Sequence, residues 1–439
     1  FNCAFGQEAL EANTTGASNV AMGFRALEAN TTGAYNVAVG GLALDANTTA
    51  DYNVAVGYGA LGANTTGDLN AAMGTSALGS NSLGDRNCAF GHNALTSFNP
   101  ASKSDTYNSA FGLNALSATT TGTNNTALGG EALSQNTTAN NNTAAGYAAL
   151  YANTTGTQNV AVGANALDAN TTGTNNTAIG FEALTANTNA NNNTAVGKDA
   201  LQDCTTGGAN TAVGSACARE ITTGNGNTVV GYAAALSLTT GTYNTCVGHD
   251  AGDDITSGTR NICIGDNVNP SASDGALQFV IGYNINGQGD NTFNFGRASN
   301  IVHNTFTSNA TWTRTSDVRL KKEIQTNTDL GLNFINDLRT VTYKWKAPSE
   351  IDPSLSSYDA DKTEANYTNK MYGFIAQEVK QALDNHNVTD FNGWHVSEEN
   401  DEQIQGISYE MFVMPLVKAV QELSAKNAAL EARIAALEG

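Results

Sequence analysis

One glycine returns at every seventeenth position through most of this chain, and no other feature constrains the fold as tightly. It stands at 6, 23, 40, 57, 74 and 91, then at 112, and at the same spacing from there to 282. That makes 17 turns with one interruption, a longer step from Gly91 to Gly112 around "SFNPASKSD". A typical turn reads "NVAVGGLALDANTTADY", Asn36 to Tyr52. A fixed period means stacked, nearly identical units. Such a turn is too short for a strand plus a crossover helix, and the common helical repeats run to about 33 residues or more. Gly, Asn and Thr dominate the turns and are poor helix formers. The expected fold is mainly β: a β-solenoid or β-roll with two short parallel strands per turn. Sixteen steps of ~4.8 Å give a rod of roughly 75–80 Å.

The slots around the glycine carry separate expectations. Asn stands four places before it in every turn from Asn2 to Asn261, placed to form a hydrogen-bonded side-chain ladder. Ala stands two places before it in the first thirteen turns, so one strand face carries only small groups and suits close approach between chains. The alternate position, Phe5, Met22, Val39, Val56, Met73 and Phe90, is expected to point into an apolar core. Leu follows the glycine by four in each of the first twelve turns, Leu10 to Leu201. Asn-Thr-Thr-Gly reads as a turn, with Gly or Asn available for positive φ.

Charge divides the chain. Residues 1–310 hold 7 basic and 20 acidic side chains, whereas the remainder holds 13 and 20, which puts a boundary near residue 310. The net charge of -20 opposes nucleic acid or an anionic membrane as partner. No run approaches the roughly 18–20 apolar residues of a membrane span. Calcium-binding solenoids need a recurring Gly-Asp pattern that these turns lack. The five histidines form no metal-ligand spacing, so neither metal nor cofactor is expected. Cys246 and Cys263 fall on adjacent turns, as apolar filler in preference to a ladder disulfide. The chain opens in mid-repeat, at "FNCAFG", and an attachment region is expected before it.

Beyond residue 282 the period is lost. Residues 283–315 read as a β-rich neck, 316–412 as a small α/β domain and 413–439 as a coiled-coil helix. "LGLNFINDL" and "GFIAQEVKQALDN" look helical, and "TVTYKW" looks like a strand. Leu416, Val420, Leu423, Asn427, Leu430, Ile434 and Leu437 alternate steps of four and three, an a/d heptad seam. Seam composition alone favours a dimer, with Asn427 fixing register.

The strand "N-[VT]-A-[VI]-G" resembles the head repeats of trimeric autotransporter adhesins, left-handed β-rolls with three chains side by side. "SDVRLKKEI", "LNFINDLRTVTYKWK", "YGFIAQEV" and "YEMFVMPLVKAVQEL" together resemble the intramolecular chaperone domain of phage tailspikes and tail fibres, the endosialidase type, over about residues 316–430. This resemblance outweighs the dimer preference and implies a homotrimer. It also implies that the domain helps the preceding fibre to fold and then cuts itself off with a serine–lysine dyad. On this chain the dyad maps onto Ser316 and Lys321, and the bond cut onto Thr315–Ser316. Asp317 and Arg319 belong to the same motif.

The chemistry is coherent: a serine hydroxyl needs a base, and lysine serves as one where desolvation and like charge favour its neutral form. Arg319 and Lys322 flank Lys321. The plainer reading of the residues alone is a helix cap, Ser316-Asp317, beside a solvated basic face.

The function expected is a trimeric phage tail fibre or tailspike on the virion, facing the host surface. Its receptor would be a polysaccharide, and its chaperone domain a single-turnover self-cleaving peptidase. Tyr35, Tyr52, Tyr107 and Tyr243 precede the ladder Asn and could stack on sugars, although a role in the repeat surface is the plainer reading. No carboxylate pair points to sugar cleavage. A bacterial or algal-virus adhesin with the same chaperone is the alternative. An ice-binding solenoid is a distant third, because the Thr-Thr pair degenerates in several turns.

Overall fold

The computed structural model describes residues 1–306, 313–314, 318–365, 368–396 and 403–438. It divides into two compact units, Phe1–Thr315 and Ser316–Gly439. The first is a β-solenoid. Each turn contributes one three-residue strand, such as Val20–Met22, Val37–Val39 and Val54–Val56, paired in parallel with its neighbours one repeat away. The ladder continues past Gly282: Phe279–Asn286 pairs in parallel with Thr292–Arg297. The chain then reverses. Asn300–Thr305 pairs antiparallel with both Thr292–Arg297 and Thr313–Arg314, which covers one open edge of the ladder.

One strand per turn is fewer than the two expected. The opposite wall is bonded between turns, as from Leu44 N–H to the Ala60 carbonyl (3.1 Å), but it is not extended. Leu42 and Leu44 have φ of 57° and 53°, and the same pair of slots is left-handed in turn after turn. Alternation with left-handed residues keeps the inter-turn hydrogen bonds while leaving the β region. Positive φ also falls on Tyr35 (60°) and Tyr52 (59°) rather than on the glycine of Asn-Thr-Thr-Gly.

The strand faces are reversed from expectation. Ala21, Ala38, Ala55 and their successors are fully buried, while Phe5, Met22 and Met73 are exposed and Val39, Val56 and Phe90 partly so. The small face therefore packs into its own chain and is unavailable to a neighbouring one. The reason is cross-section. Leu27, Leu44 and Leu61 enter from the opposite wall with Ala26, Ala43 and Ala60, and the space left admits only methyl groups. The column glycines close one corner. Gly57 has φ of +130°, and a Cβ there would stand 2.7 Å from the Gly74 carbonyl oxygen. Only glycine fits both demands.

Two buried Asn columns run along the core. The first bonds chiefly to backbone: Asn36 N–H donates to Asn19 Oδ1 (2.9 Å), and Asn36 Nδ2 donates to the Ala50 carbonyl (2.8 Å). The second, in the Asn-Thr-Thr slot, is a true side-chain ladder. Asn30 Nδ2 donates to Asn13 Oδ1 (2.9 Å), Asn47 to Asn30 (2.8 Å), and Asn64 to Asn47 (3.1 Å). It breaks at the insert, where buried Phe98 takes the slot, and resumes from Thr119 to Asn187. Cys204 follows, and Asn187 Oδ1 is left buried without a partner.

The six cysteines are free thiols. Cys246 and Cys263 lie opposite each other on paired strands, and both are buried. Burial pushes the Cys204 and Cys217 thiols up to about 12, so they remain protonated apolar filler.

The second unit is a small α/β domain ending in a long helix. It contains α1 (Leu332–Asp337), α2 (Ala376–Asn385) and α3 (Val413–Glu438). Val341–Tyr343 pairs antiparallel with Met371–Gly373, and Trp394–Val396 with Gln405–Ile407. Leu330, Phe334, Val379, Ala382, Leu383 and Phe412 form its core.

Candidate functional site

Of the residues assigned to self-cleavage, Thr315, Ser316 and Asp317 lie outside the described residues. Arg319 sits in a single 3-10 turn, Val318–Leu320, and Lys321 follows it with its N–H donated to the Val318 carbonyl (3.2 Å). Both side chains are exposed within the single chain. Val318, Leu320 and Ile324 beside them are exposed as well. A basic segment is thus interleaved with apolar side chains that the described residues leave exposed.

The heptad residues lie on α3. Its buried residues are Pro415 and Ala419, on the first turns, where the helix packs against α1. Leu416, Val420, Leu423, Asn427, Leu430, Ile434 and Leu437 are all exposed. Glu422 fixes the base of the helix. Its carboxylate accepts the Leu332 N–H (2.9 Å) at the start of α1 and pairs with Lys418 (3.5 Å). The Leu332 hydrogen bond, with the lysine, holds the Glu422 carboxyl below its ordinary 4.5. Sequence reading missed this contact, since 90 residues separate the partners.

Two further features of the solenoid escaped the sequence. The insert carries Lys103 back across two turns to Asp68 Oδ2 (2.6 Å) and the Thr66 carbonyl (2.7 Å). Arg86 bonds Asp105 (2.8 Å) and the Tyr107 hydroxyl (2.7 Å). The row of Asp51, Asp68 and Asp85, each accepting a backbone N–H from the turn before, was its only signal. The second feature is a column of aromatics directly after the column glycine. The tyrosines considered for sugar stacking are engaged with their own neighbours. Tyr35 and Tyr52 stack on each other (4.9 Å, 1°), and Arg86 and Arg260 lie over Tyr107 and Tyr243.

Among the described residues, one carboxylate group, Glu8, Glu11 and Glu28, is close enough to share an ion, and Arg25 pairs with Glu8 and Glu28. No helix among them is long and apolar enough to cross a membrane.

Residues 316–388 match the family model described as chaperone of endosialidase. The chain carries a chaperone-of-endosialidase domain. The match begins at Ser316, where the second compact unit also begins, and ends before α3. It is shorter than the span of about 316–430 over which the quoted motifs resemble that family. Comparison with curated proteins and with solved structures returned no match.

Proposed function

We propose that this protein is a trimeric fibre or tailspike of a phage virion. Its solenoid would engage a host-surface polysaccharide, and its chaperone-of-endosialidase domain would tie three chains together before releasing itself. The family match directly after the solenoid carries this reading.

Two apolar surfaces support the trimer. The α3 seam is a helical stripe without a partner among the described residues, and such a stripe is stable when other helices cover it. The outward strand face adds a second stripe, with Met22, Met73, Phe111, Leu128 and Ile179 stacked along the solenoid. Contiguous apolar surface on this scale marks an interaction site.

Self-cleavage requires Ser316 Oγ to attack the Thr315 carbonyl carbon while its proton passes to Lys321 Nζ. The Thr315–Ser316 peptide bond breaks, the Ser316 amine leaves with a proton, and water hydrolyses the resulting ester. Proximity is built in, because the attacked carbonyl directly precedes the nucleophile. The base is what assembly supplies. Covering Val318, Leu320 and Ile324 by partner chains would also desolvate Lys321 and favour its neutral form.

Intact-mass measurement on the assembled wild-type protein tests the reaction. Two fragments divided after residue 315 are expected, and a single full-length mass for Ser316→Ala and for Lys321→Ala. An uncut wild type under assembling conditions would leave the domain a permanent trimeric tip.

A further inference from the structure

One column of the solenoid presents exposed aromatic rings, with two pairs of them two turns apart. Phe24, Tyr58, Tyr147, Phe181 and Tyr232 each occupy the slot directly after the column glycine, and they are 47%, 60%, 64%, 47% and 61% exposed. Arg25 lies over Phe24 (6.0 Å) and Tyr232 stacks on His249 (5.7 Å), so Tyr58, Tyr147 and Phe181 are the rings free of such neighbours among the described residues. Phe24 and Tyr58 are two turns apart, as are Tyr147 and Phe181, and the slots between hold Gly41 and Ala164. The Tyr58 ring leans over Gly41, with two ring carbons 3.5 and 3.7 Å from where a Cβ would be, and Tyr147 leans toward Gly130 in the same way (3.8 Å). Small residues in the intervening slots let these rings lie against the wall with a face to solvent.

The backbone beneath the rings is fixed. The Tyr58 carbonyl accepts Ser76 N–H (2.9 Å), the Tyr147 carbonyl accepts Asn165 N–H (3.0 Å), and the Phe181 carbonyl accepts Asp199 N–H (3.0 Å). Polar groups stand in the adjoining column. Glu131 accepts from Asn114 (2.9 Å) and Glu182 from Gln202 (2.8 Å), each through one carboxylate oxygen, and Asn165 lies between them in sequence order.

We propose that this column is a binding site for an uncharged, extended polysaccharide. The proposal rests on the host-polysaccharide reading above and gives it a location and a ligand class. Two turns of a parallel ladder span roughly 9.6 Å, close to one disaccharide unit of an extended two-fold glycan. Such a glycan presents an apolar C–H face to the column once per unit, and exposed rigid rings bind such faces at small entropic cost. Glu131, Asn165 and Glu182 supply acceptors and donors for the hydroxyl edges. With 7 basic against 20 acidic side chains in residues 1–310, the surface repels polyanionic glycans.

Affinity electrophoresis of the full chain tests the site. Hydroxyethyl cellulose is the extended uncharged matrix, dextran the flexible uncharged control, and dextran sulfate the polyanion. The wild type should be retarded by hydroxyethyl cellulose alone. Tyr147→Ala/Phe181→Ala should weaken the retardation at least fivefold, Tyr147→Phe should retain it, and Tyr35→Ala/Tyr52→Ala, outside the column, should leave it unchanged. The substituted side chains are exposed, so unchanged circular dichroism and elution volume are expected for each variant. Retardation by hydroxyethyl cellulose that survives the double substitution would overturn the column while leaving a polysaccharide receptor in place. Retardation by dextran sulfate or dextran alone would overturn the ligand class. No retardation in any matrix would overturn both.

Discussion

In the solenoid, each turn closes its hydrogen bonds on the turns before and after it and buries its Ala, Leu and Asn columns within one chain. The C-terminal unit does the reverse. Among the described residues its core is six buried side chains with a fringe of partly buried ones, and the whole α3 seam and the apolar residues around Lys321 stay exposed. The solenoid is locally satisfied but nearly degenerate, because slipping a chain by one whole turn against an identical partner replaces almost every contact with its copy. The C-terminal sequence has no such period, so on the proposed account it is the part that would hold the information about which turn belongs beside which. The proposed function thus assigns stability and register to different parts of the molecule. The insert is a local exception. Lys103 on Asp68 marks one turn as unlike the others, and on the proposed account it would serve as a second register mark.

Removing residues 316–439 before synthesis tests this division with the largest expected effect. The product should be aggregated or misregistered, as read by gel filtration and limited proteolysis. A soluble, monodisperse, protease-resistant product would show that the solenoid sets its own register. Next in size is Gly57→Ala. The new methyl meets the Gly74 carbonyl in a backbone conformation that alanine resists, so a loss of roughly 2–4 kcal/mol is expected in denaturant unfolding. A change below about 0.5 kcal/mol would mean that the column is not close-packed.

Cys204→Ser probes the end of the side-chain ladder. The Gly207 carbonyl, which the Cys204 thiol meets at 3.2 Å, keeps its bond from Asn193 Nδ2 (2.8 Å). The single serine proton can therefore turn to the orphaned Asn187 Oδ1, and a gain of about 1 kcal/mol is expected, where a buried Cys→Ser change would ordinarily cost stability. A loss would show that the acceptor is satisfied in another way. The smallest effect concerns Glu422. Its carboxyl is held below 4.5 in the folded domain, so its contribution is complete above that value and is lost as pH falls through the lower folded value. Melting of the C-terminal unit should show this acid dependence, and Glu422→Gln should flatten it without altering the solenoid's melting. An unchanged profile would remove the Leu332 contact from the account.

Legibility followed the same division. The Gly, Leu and first Asn columns were readable because each position tolerates one residue type, turn after turn. The strand facing was not readable. The rule that larger apolar residues go inward failed because Leu from the far wall had already filled the narrow interior, leaving room only for Ala38 and its equivalents. The second Asn column was hidden because Asn-Thr-Thr-Gly is also ordinary turn chemistry. In the C-terminal unit, α1, α2 and α3 followed from apolar periodicity. Lys321 and Arg319 had no local signal beyond a family motif, and the Leu332–Glu422 contact joins segments too distant for any pattern to link. The Phe24–Tyr58 and Tyr147–Phe181 spacing was present in the sequence, but it has meaning only once the turns are stacked in register.

The central claim is that the C-terminal unit gathers three chains into one register. Multi-angle light scattering on full-length Ser316→Ala, in which release of the domain is blocked, tests it most directly. The account predicts a single species at three times the chain mass of 45.4 kDa. A monodisperse monomer or dimer would contradict it.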